Sequence, residues 1–122
     1  MIYVLVIDDD RHMRAACSRV LSRAGWAVTC ADSGAEGLQQ LRTGAQEFGV
    51  VLMDQLMPGM GGMEVLAQIR AAYPSLPVII MSGAATDESA REIRDKGAVD
   101  CLAKPFTPEQ LREVIIRAVG KD

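Results

Sequence analysis

Side chains that could bind a metal ion or take part in a reaction follow four of the short apolar runs in this sequence. Two acids, Asp8 and Asp9, come directly after the first run, and a third acid, Asp54, follows another. A hydroxyl, Ser82, and an ammonium, Lys104, follow two more. If the fold brings these groups together, carboxylates, a hydroxyl and a lysine are suited to handling a phosphoryl group.

Carboxylates that crowd together need a cation. They repel one another, and each raises the pKa of its neighbours. Mg²⁺ is the usual remedy, because it prefers oxygen ligands and is readily shared with phosphate oxygens. The metal and Lys104 would neutralise the charge of a phosphoryl group, and Ser82 would donate to one of its oxygens. On the residues alone, Asp54 is either a ligand of that metal or a nucleophile that takes the phosphoryl group itself.

Strands and helices alternate along the chain in the predicted structure. Apolar runs predict strands at residues 2–7, 27–30, 50–53, 78–81 and 101–103. Apolar residues at helical spacing predict helices at residues 11–24, 34–43, 63–73, 87–96 and from 108 onwards. Such an alternation requires a parallel sheet with helices on both faces. The side chains that follow the strands then meet at the carboxyl edge of the sheet, where ligands of such folds bind.

Two other classes of phosphate-handling protein fit this pattern less well. A dinucleotide-binding unit needs a glycine-rich turn after the first strand, and this chain has three aspartates there, which would repel a pyrophosphate. A phosphatase of the haloacid dehalogenase type has a second aspartate two residues after its nucleophile. Here that position is Leu56, which cannot transfer a proton. Taken singly, each residue also has a structural interpretation, such as a helix cap for Asp10, and only their convergence at one site indicates a function.

Composition excludes several function classes. The 122 residues suit one compact domain, and aromatic residues make up only 4%, which argues against stacking on bases. A formal net charge of −3 lacks the excess of positive charge expected of a protein that binds nucleic acid or an anionic membrane. No apolar run approaches the ~20 residues of a membrane span. Three widely spaced cysteines and the absence of a signal-peptide pattern predict buried, reduced thiols in a cytoplasmic protein.

Four motifs resemble the receiver domain of bacterial two-component response regulators. They are VLVIDDD, VLMDQLMPGMGG, VIIMSG and GAVDCLAKPFT, and the likeness extends from Ile2 to about Val119. The resemblance implies an α/β, flavodoxin-like, doubly wound (βα)5 fold with a five-stranded parallel sheet in the order 2-1-3-4-5. It also implies that residues 1–122 form a single receiver domain.

By position, the resemblance implies a role for each side chain. Asp54 is implied to be the phosphoacceptor, Ser82 the switch hydroxyl, and Lys104 the partner of the phosphoryl group. The Lys104–Pro105 peptide bond is implied to be cis.

The same resemblance implies one cofactor, Mg²⁺. Its protein ligands would be the carboxylates of Asp8, Asp9 and Asp54 and the backbone carbonyl of Leu56. The domain would then catalyse only its own phosphorylation and dephosphorylation, and we expect a signalling domain and not an enzyme.

The implied partners are proteins. The phosphoryl group would come from a histidine kinase or a phosphotransfer protein, and the changed surface would be read by a downstream effector protein or an output domain. We expect no direct contact with nucleic acid or a membrane. The alternative is a pseudo-receiver, a protein-interaction module that keeps the fold without being phosphorylated.

Two positions depart from the family pattern. Gly61 stands where the family commonly has aspartate, which we expect to change the stiffness of the loop and not the chemistry. Cys101 stands where the family usually has an aromatic switch residue on the fifth strand. Because a thiol cannot swing as a ring does, we expect the signal to leave the site through another element.

Overall fold

The computed structural model describes residues 1–44, 47–84 and 86–120. The five strands are β1 (Tyr3–Ile7), β2 (Ala27–Ala31), β3 (Val50–Asp54), β4 (Val78–Ser82) and β5 (Asp100–Ala103). The helices are α1 (Arg11–Arg23), α2 (Gly34–Gly44), α3 (Gly62–Ala72), α4 (Asp87–Asp95) and α5 (Pro108–Val119). Strands and helices alternate as the sequence predicts.

All strand pairs are parallel, and the order across the sheet is β2-β1-β3-β4-β5. The predicted fold class and strand order are therefore confirmed. In the register, Asp54 pairs with Met81, and Ser82 pairs with Ala103. The carboxyl ends of the central strands consequently lie level at one edge of the sheet.

Alternate residues of each strand supply two separate cores. Leu5 and Ile7 of β1 pack with α2, α3 and α4 on one face, and Val4 and Val6 pack with α1 and α5 on the other. Every residue of β3 and β4 is buried, as expected for central strands covered on both faces. Each large apolar side chain buried in this way stabilises the fold by about 1.5–3 kcal/mol, which makes the two strands a rigid support.

Strands β3 and β4 are one residue longer than the sequence predicts. The ladder continues past Asp54, because the N–H of Gln55 donates to the carbonyl of Met81 at 2.9 Å. It likewise includes Ser82, whose carbonyl accepts from the N–H of Lys104 at 2.8 Å. The two site residues are therefore part of the sheet itself and share its rigidity.

The predicted helix starts are supported by their caps. Asp10 caps α1 by accepting from the N–H of His12 at 2.9 Å, and Thr107 with Gln110 forms a reciprocal capping box for α5. At α2, Ser33 and Glu36 have the spacing of a capping box, but only half of the box forms. Ser33 accepts from the N–H of Glu36, whereas the Glu36 carboxylate accepts from the N–H of Asp32 and not of Ser33.

The prediction of buried thiols is right for one cysteine of three. Cys17 is buried between α1 and the sheet, and burial raises the pKa of its thiol to about 12. Cys30 is exposed and Cys101 is half-buried, because they lie on β2 and β5, the edge strands of the sheet. Among the described residues, no helix is long and apolar enough to span a bilayer.

Candidate functional site

The five predicted side chains lie at the carboxyl edge of the sheet. Asp8 and Asp9 follow β1, Asp54 ends β3, Ser82 ends β4, and Lys104 follows β5. Asp8, Asp54 and Ser82 are buried, Lys104 is half-buried, and Asp9 is exposed. Three charged groups therefore converge where water has little access, with one acid at the rim.

The three carboxylates form one cluster. One oxygen from each of Asp8, Asp9 and Asp54 lies within 4.8 Å of the others. Oδ1 of Asp8 accepts from the N–H of Asp10 at 2.9 Å, whereas the buried Oδ2 has no hydrogen-bond partner among the described residues. A buried anionic oxygen without a donor is costly, and a cation bound between the carboxylates would satisfy it.

Burial raises the pKa of the Asp8 carboxyl above its ordinary value of 3.8. The N–H of Asp10 opposes this effect, the carboxylate of Asp54 adds to it, and the Lys104 ammonium opposes it. The net direction is upward, so the groups around Asp8 do not fully compensate the cost of burying its charged form.

Lys104 is the cation that the chain brings to the cluster. Its Nζ lies 3.1 Å from Oδ1 of Asp54 and 3.8 Å from Oδ2 of Asp8, so the ammonium contacts both buried acids. The peptide bond between Lys104 and Pro105 is cis, as the resemblance to receiver domains implies. Within the part of the chain that the structure describes, one ammonium contacts the cluster of three carboxylates, so the cluster keeps a net negative charge and can accept a further cation.

The loop after β3 is shaped to pass close behind Asp54. A Cβ at Gly62 would clash with the backbone carbonyl of Asp54, and Gly59 has a positive φ of +74°. The path from β3 into α3 therefore requires glycine at both positions. Leu56, between them and Asp54, keeps its side chain 78% exposed, and its N–H lies 3.5 Å from Oδ1 of Asp54.

Ser82 is not free in this structure. Its hydroxyl donates to Oε1 of Gln55 at 2.7 Å, and its Oγ lies 3.4 Å from the N–H of Ala84. No sequence pattern marks Gln55 as a site residue, although it directly follows Asp54 and so lies at the same edge. The same holds for Arg14, whose guanidinium donates to the carbonyl of Asp8 at 2.7 Å and steadies the turn after β1.

The outer edge of the sheet joins α4 to α5. Asp100, beside Cys101 on β5, forms salt bridges with Arg94 of α4 at 3.1 Å and Arg117 of α5 at 3.2 Å. Burial by itself would raise the pKa of Asp100, but the N–H of Cys101 and the two guanidinium groups outweigh burial and hold that pKa below 3.8. A charged link therefore joins α4 to α5 through Asp100 on β5.

Comparison with known proteins identifies relatives across nearly the whole chain. The family described as "Response regulator receiver domain" matches residues 4–116. The DNA-binding transcriptional regulator NtrC of Escherichia coli is 38% identical over 117 residues, which are 96% of this chain and 24% of NtrC. The transcriptional regulatory protein FixJ of Bradyrhizobium diazoefficiens is 37% identical over 96% of this chain and 56% of FixJ. The chain thus spans about a quarter to a half of these relatives.

Solved structures give the same result. A response regulator receiver domain protein from Clostridium thermocellum superposes with a TM-score of 0.93 at 30% identity, covering 99% of this chain and 96% of that one. The chemotaxis protein CheY4 of Vibrio cholerae superposes with a TM-score of 0.89 at 32% identity, covering 97% of this chain and 98% of that one.

Proposed function

The chain belongs to the family of response regulator receiver domains, and we propose that it takes a phosphoryl group onto Asp54 from a histidine kinase or a phosphotransfer protein. The observation that carries the proposal is the ion pair of 3.1 Å between Lys104 and Asp54, at the edge of a cluster of three carboxylates. A rigid carboxylate beside an ammonium suits attack on a phosphoryl group and neutralisation of its charge.

In the proposed reaction, an oxygen of Asp54 attacks the phosphorus of a phosphohistidine. A P–O bond forms to Asp54 as the P–N bond breaks, and its electron pair leaves on the imidazole nitrogen, which takes a proton from solvent. The β3 ladder fixes the position of Asp54, so that little orientational freedom is lost in the reaction. Lys104 then pairs with a phosphoryl oxygen, and Ser82 donates to another.

The acid cluster fits Mg²⁺. The buried Oδ2 of Asp8 has no hydrogen-bond partner among the described residues, and the cluster supplies only oxygen ligands. We propose that Asp8, Asp9, Asp54 and the backbone carbonyl of Leu56 would hold the ion. When bound, Mg²⁺ would neutralise negative charge on the oxygens of the phosphoryl group in transfer.

The response would be a change of surface read by an effector protein or an output domain. Ser82 lies at the base of the loop that leads into α4, so drawing its hydroxyl to a phosphoryl oxygen would pull on that loop. NtrC is a DNA-binding transcriptional regulator by name. We propose that the domain of this chain contacts protein partners and leaves any contact with nucleic acid to other domains.

The test is labelling by a small phosphodonor. With acetyl phosphate and Mg²⁺, intact-mass measurement should show one added phosphoryl group, and Asp54→Asn should show none. Asp95→Asn, at an exposed acid on α4, is the matched control and should be labelled like the parent. Full labelling of the Asp54 variant would show that the nucleophile is misassigned, and no labelling of the parent would favour the pseudo-receiver.

A further inference from the structure

Gln55 engages the hydroxyl that the proposed function requires for the phosphoryl group. The Ser82 side chain is buried, with 1% of its surface exposed, and its O–H donates to Oε1 of Gln55 at 2.7 Å. On its other side, Ser82 Oγ is approached by the N–H of Ala84 at 3.4 Å. The hydroxyl therefore already donates its proton to Gln55, and the N–H of Ala84 occupies part of its capacity to accept.

The backbone of Gln55 is held at both ends, so that only its side chain is free to move. Its N–H donates to the carbonyl of Met81 at 2.9 Å, and its carbonyl accepts from the N–H of Gly62, also at 2.9 Å. The side chain itself is half-buried and borders solvent. An amide on a fixed base can leave Ser82 by rotation about its own bonds, without any shift of β3 or α3.

A hydroxyl has one proton, and it cannot donate that proton fully to Gln55 and to a phosphoryl oxygen together. We propose that Gln55 is a positioning residue: it holds the Ser82 hydroxyl in the unphosphorylated protein and must release it before Ser82 can donate to the phosphoryl group. Gln55 therefore slows phosphorylation of Asp54 and keeps the unphosphorylated conformation populated. This inference rests on the proposed function of Asp54 and Ser82.

Gln55→Leu tests the proposal, because leucine has a similar volume but no hydrogen-bond acceptor. The initial rate of labelling by acetyl phosphate should rise about two- to tenfold, which is the factor that corresponds to the net free energy of one neutral hydrogen bond. Gln39→Leu is the matched control: Gln39 is exposed on α2, and its amide oxygen accepts from Arg42 at 3.2 Å. That variant should be labelled at the rate of the parent.

A double-mutant cycle separates this role from a general effect on the site. In a Ser82→Ala background there is no hydroxyl to hold, so adding Gln55→Leu should leave the labelling rate unchanged. Gln55→Glu, which can only accept, should slow labelling in the parent more than in the Ser82→Ala background. If Gln55→Leu does not fold, Gln55→Met, of the same length and with only a weak acceptor, takes its place.

Three results would overturn the inference. They are an unchanged or slower rate in the Gln55→Leu protein, an equal rise with and without Ser82, and an equal rise in the Gln39→Leu control. Each of them leaves the proposed function intact, because the parent is still labelled on Asp54. Absence of labelling in the parent would instead remove the proposed function and this inference with it.

Discussion

At the residue scale, the site places like charges where they repel and compensates them only in part. The carboxylates of Asp8, Asp9 and Asp54 share one small volume, and Lys104 supplies a single ammonium. Asp8 carries most of the cost, since it is fully buried and one of its oxygens has no hydrogen-bond partner among the described residues. Residues placed for a reaction are here unfavourable for stability in the absence of a cation.

We predict that Asp8→Asn is more stable than the parent at pH 7 in the presence of a chelator. The folded-state pKa of Asp8 lies above its unfolded value of 3.8, so the folded protein binds more protons between the two values. The free energy of unfolding then falls as the pH rises between the two pKa values, and the parent keeps the full loss of stability at any pH above both. The asparagine keeps the oxygen that accepts from Asp10 and removes the charge.

Urea unfolding of the two proteins measures this difference. The advantage of Asp8→Asn should grow as the pH rises above 3.8 and should disappear well below 3.8, where the side chain at position 8 is neutral in both proteins. An Asp95→Asn protein, changed at an exposed acid on α4, should show no such advantage. A lower stability of Asp8→Asn than of the parent at pH 7 would contradict the account of the acid cluster.

At the element scale, α4 is the helix with the fewest anchors. Ile93 is its one buried residue, whereas α5 has four. Its start is fixed by a capping box of Thr86 and Ser89, and its last turn is tied to β5 by the Arg94–Asp100 salt bridge. Half-exposed salt bridges contribute about 1 kcal/mol or less, so a shift of α4 costs little.

We therefore predict that phosphorylation changes amide exchange mainly between residues 83 and 96. Cys101 packs against the core under α4 but is too small to act as a swinging ring. Cys101→Ala should leave the change nearly the same, and Cys101→Tyr should enlarge it if the ring finds room beside α4. Hydrogen exchange with mass spectrometry, on equally phosphorylated samples, makes the comparison. Loss of the response in Cys101→Ala, with phosphorylation intact, would show that the thiol is the switch.

At the scale of the whole molecule, the alternation of strands and helices predicts a parallel sheet and therefore the edge at which the site lies. Periodicity does not predict the strand order, because apolar runs do not specify which strand is central; the resemblance to receiver domains implies that order. The Gln55–Ser82 contact could not be predicted, since it depends on side-chain rotamers across two neighbouring strands. The exposure of Cys30 could not be predicted either, because the sequence pattern of an edge strand such as β2 does not differ from that of a central strand.

Binding of Mg²⁺ should stabilise the whole domain by mass action. At a Mg²⁺ concentration about tenfold above its dissociation constant, the free energy of unfolding should rise by about 1.4 kcal/mol, which corresponds to about 5 °C in Tm for a domain of this size. A chelator should reverse the rise. Asp9→Asn should weaken it strongly, since Asp9 supplies a proposed ligand while its exposed side chain adds little to the apo fold. A Tm that does not change with Mg²⁺ in either the parent or the Asp9→Asn protein would contradict the proposed metal site.

The most direct test of the central claim is the position of the phosphoryl group. An acyl phosphate is reduced by borohydride, which converts the modified aspartate into homoserine. After labelling with acetyl phosphate and Mg²⁺, tandem mass spectrometry of the reduced protein should find homoserine at position 54 and at no other aspartate. Homoserine at Asp8, Asp9 or another acid, with Asp54 unmodified, would contradict the assignment of Asp54 as the phosphoacceptor.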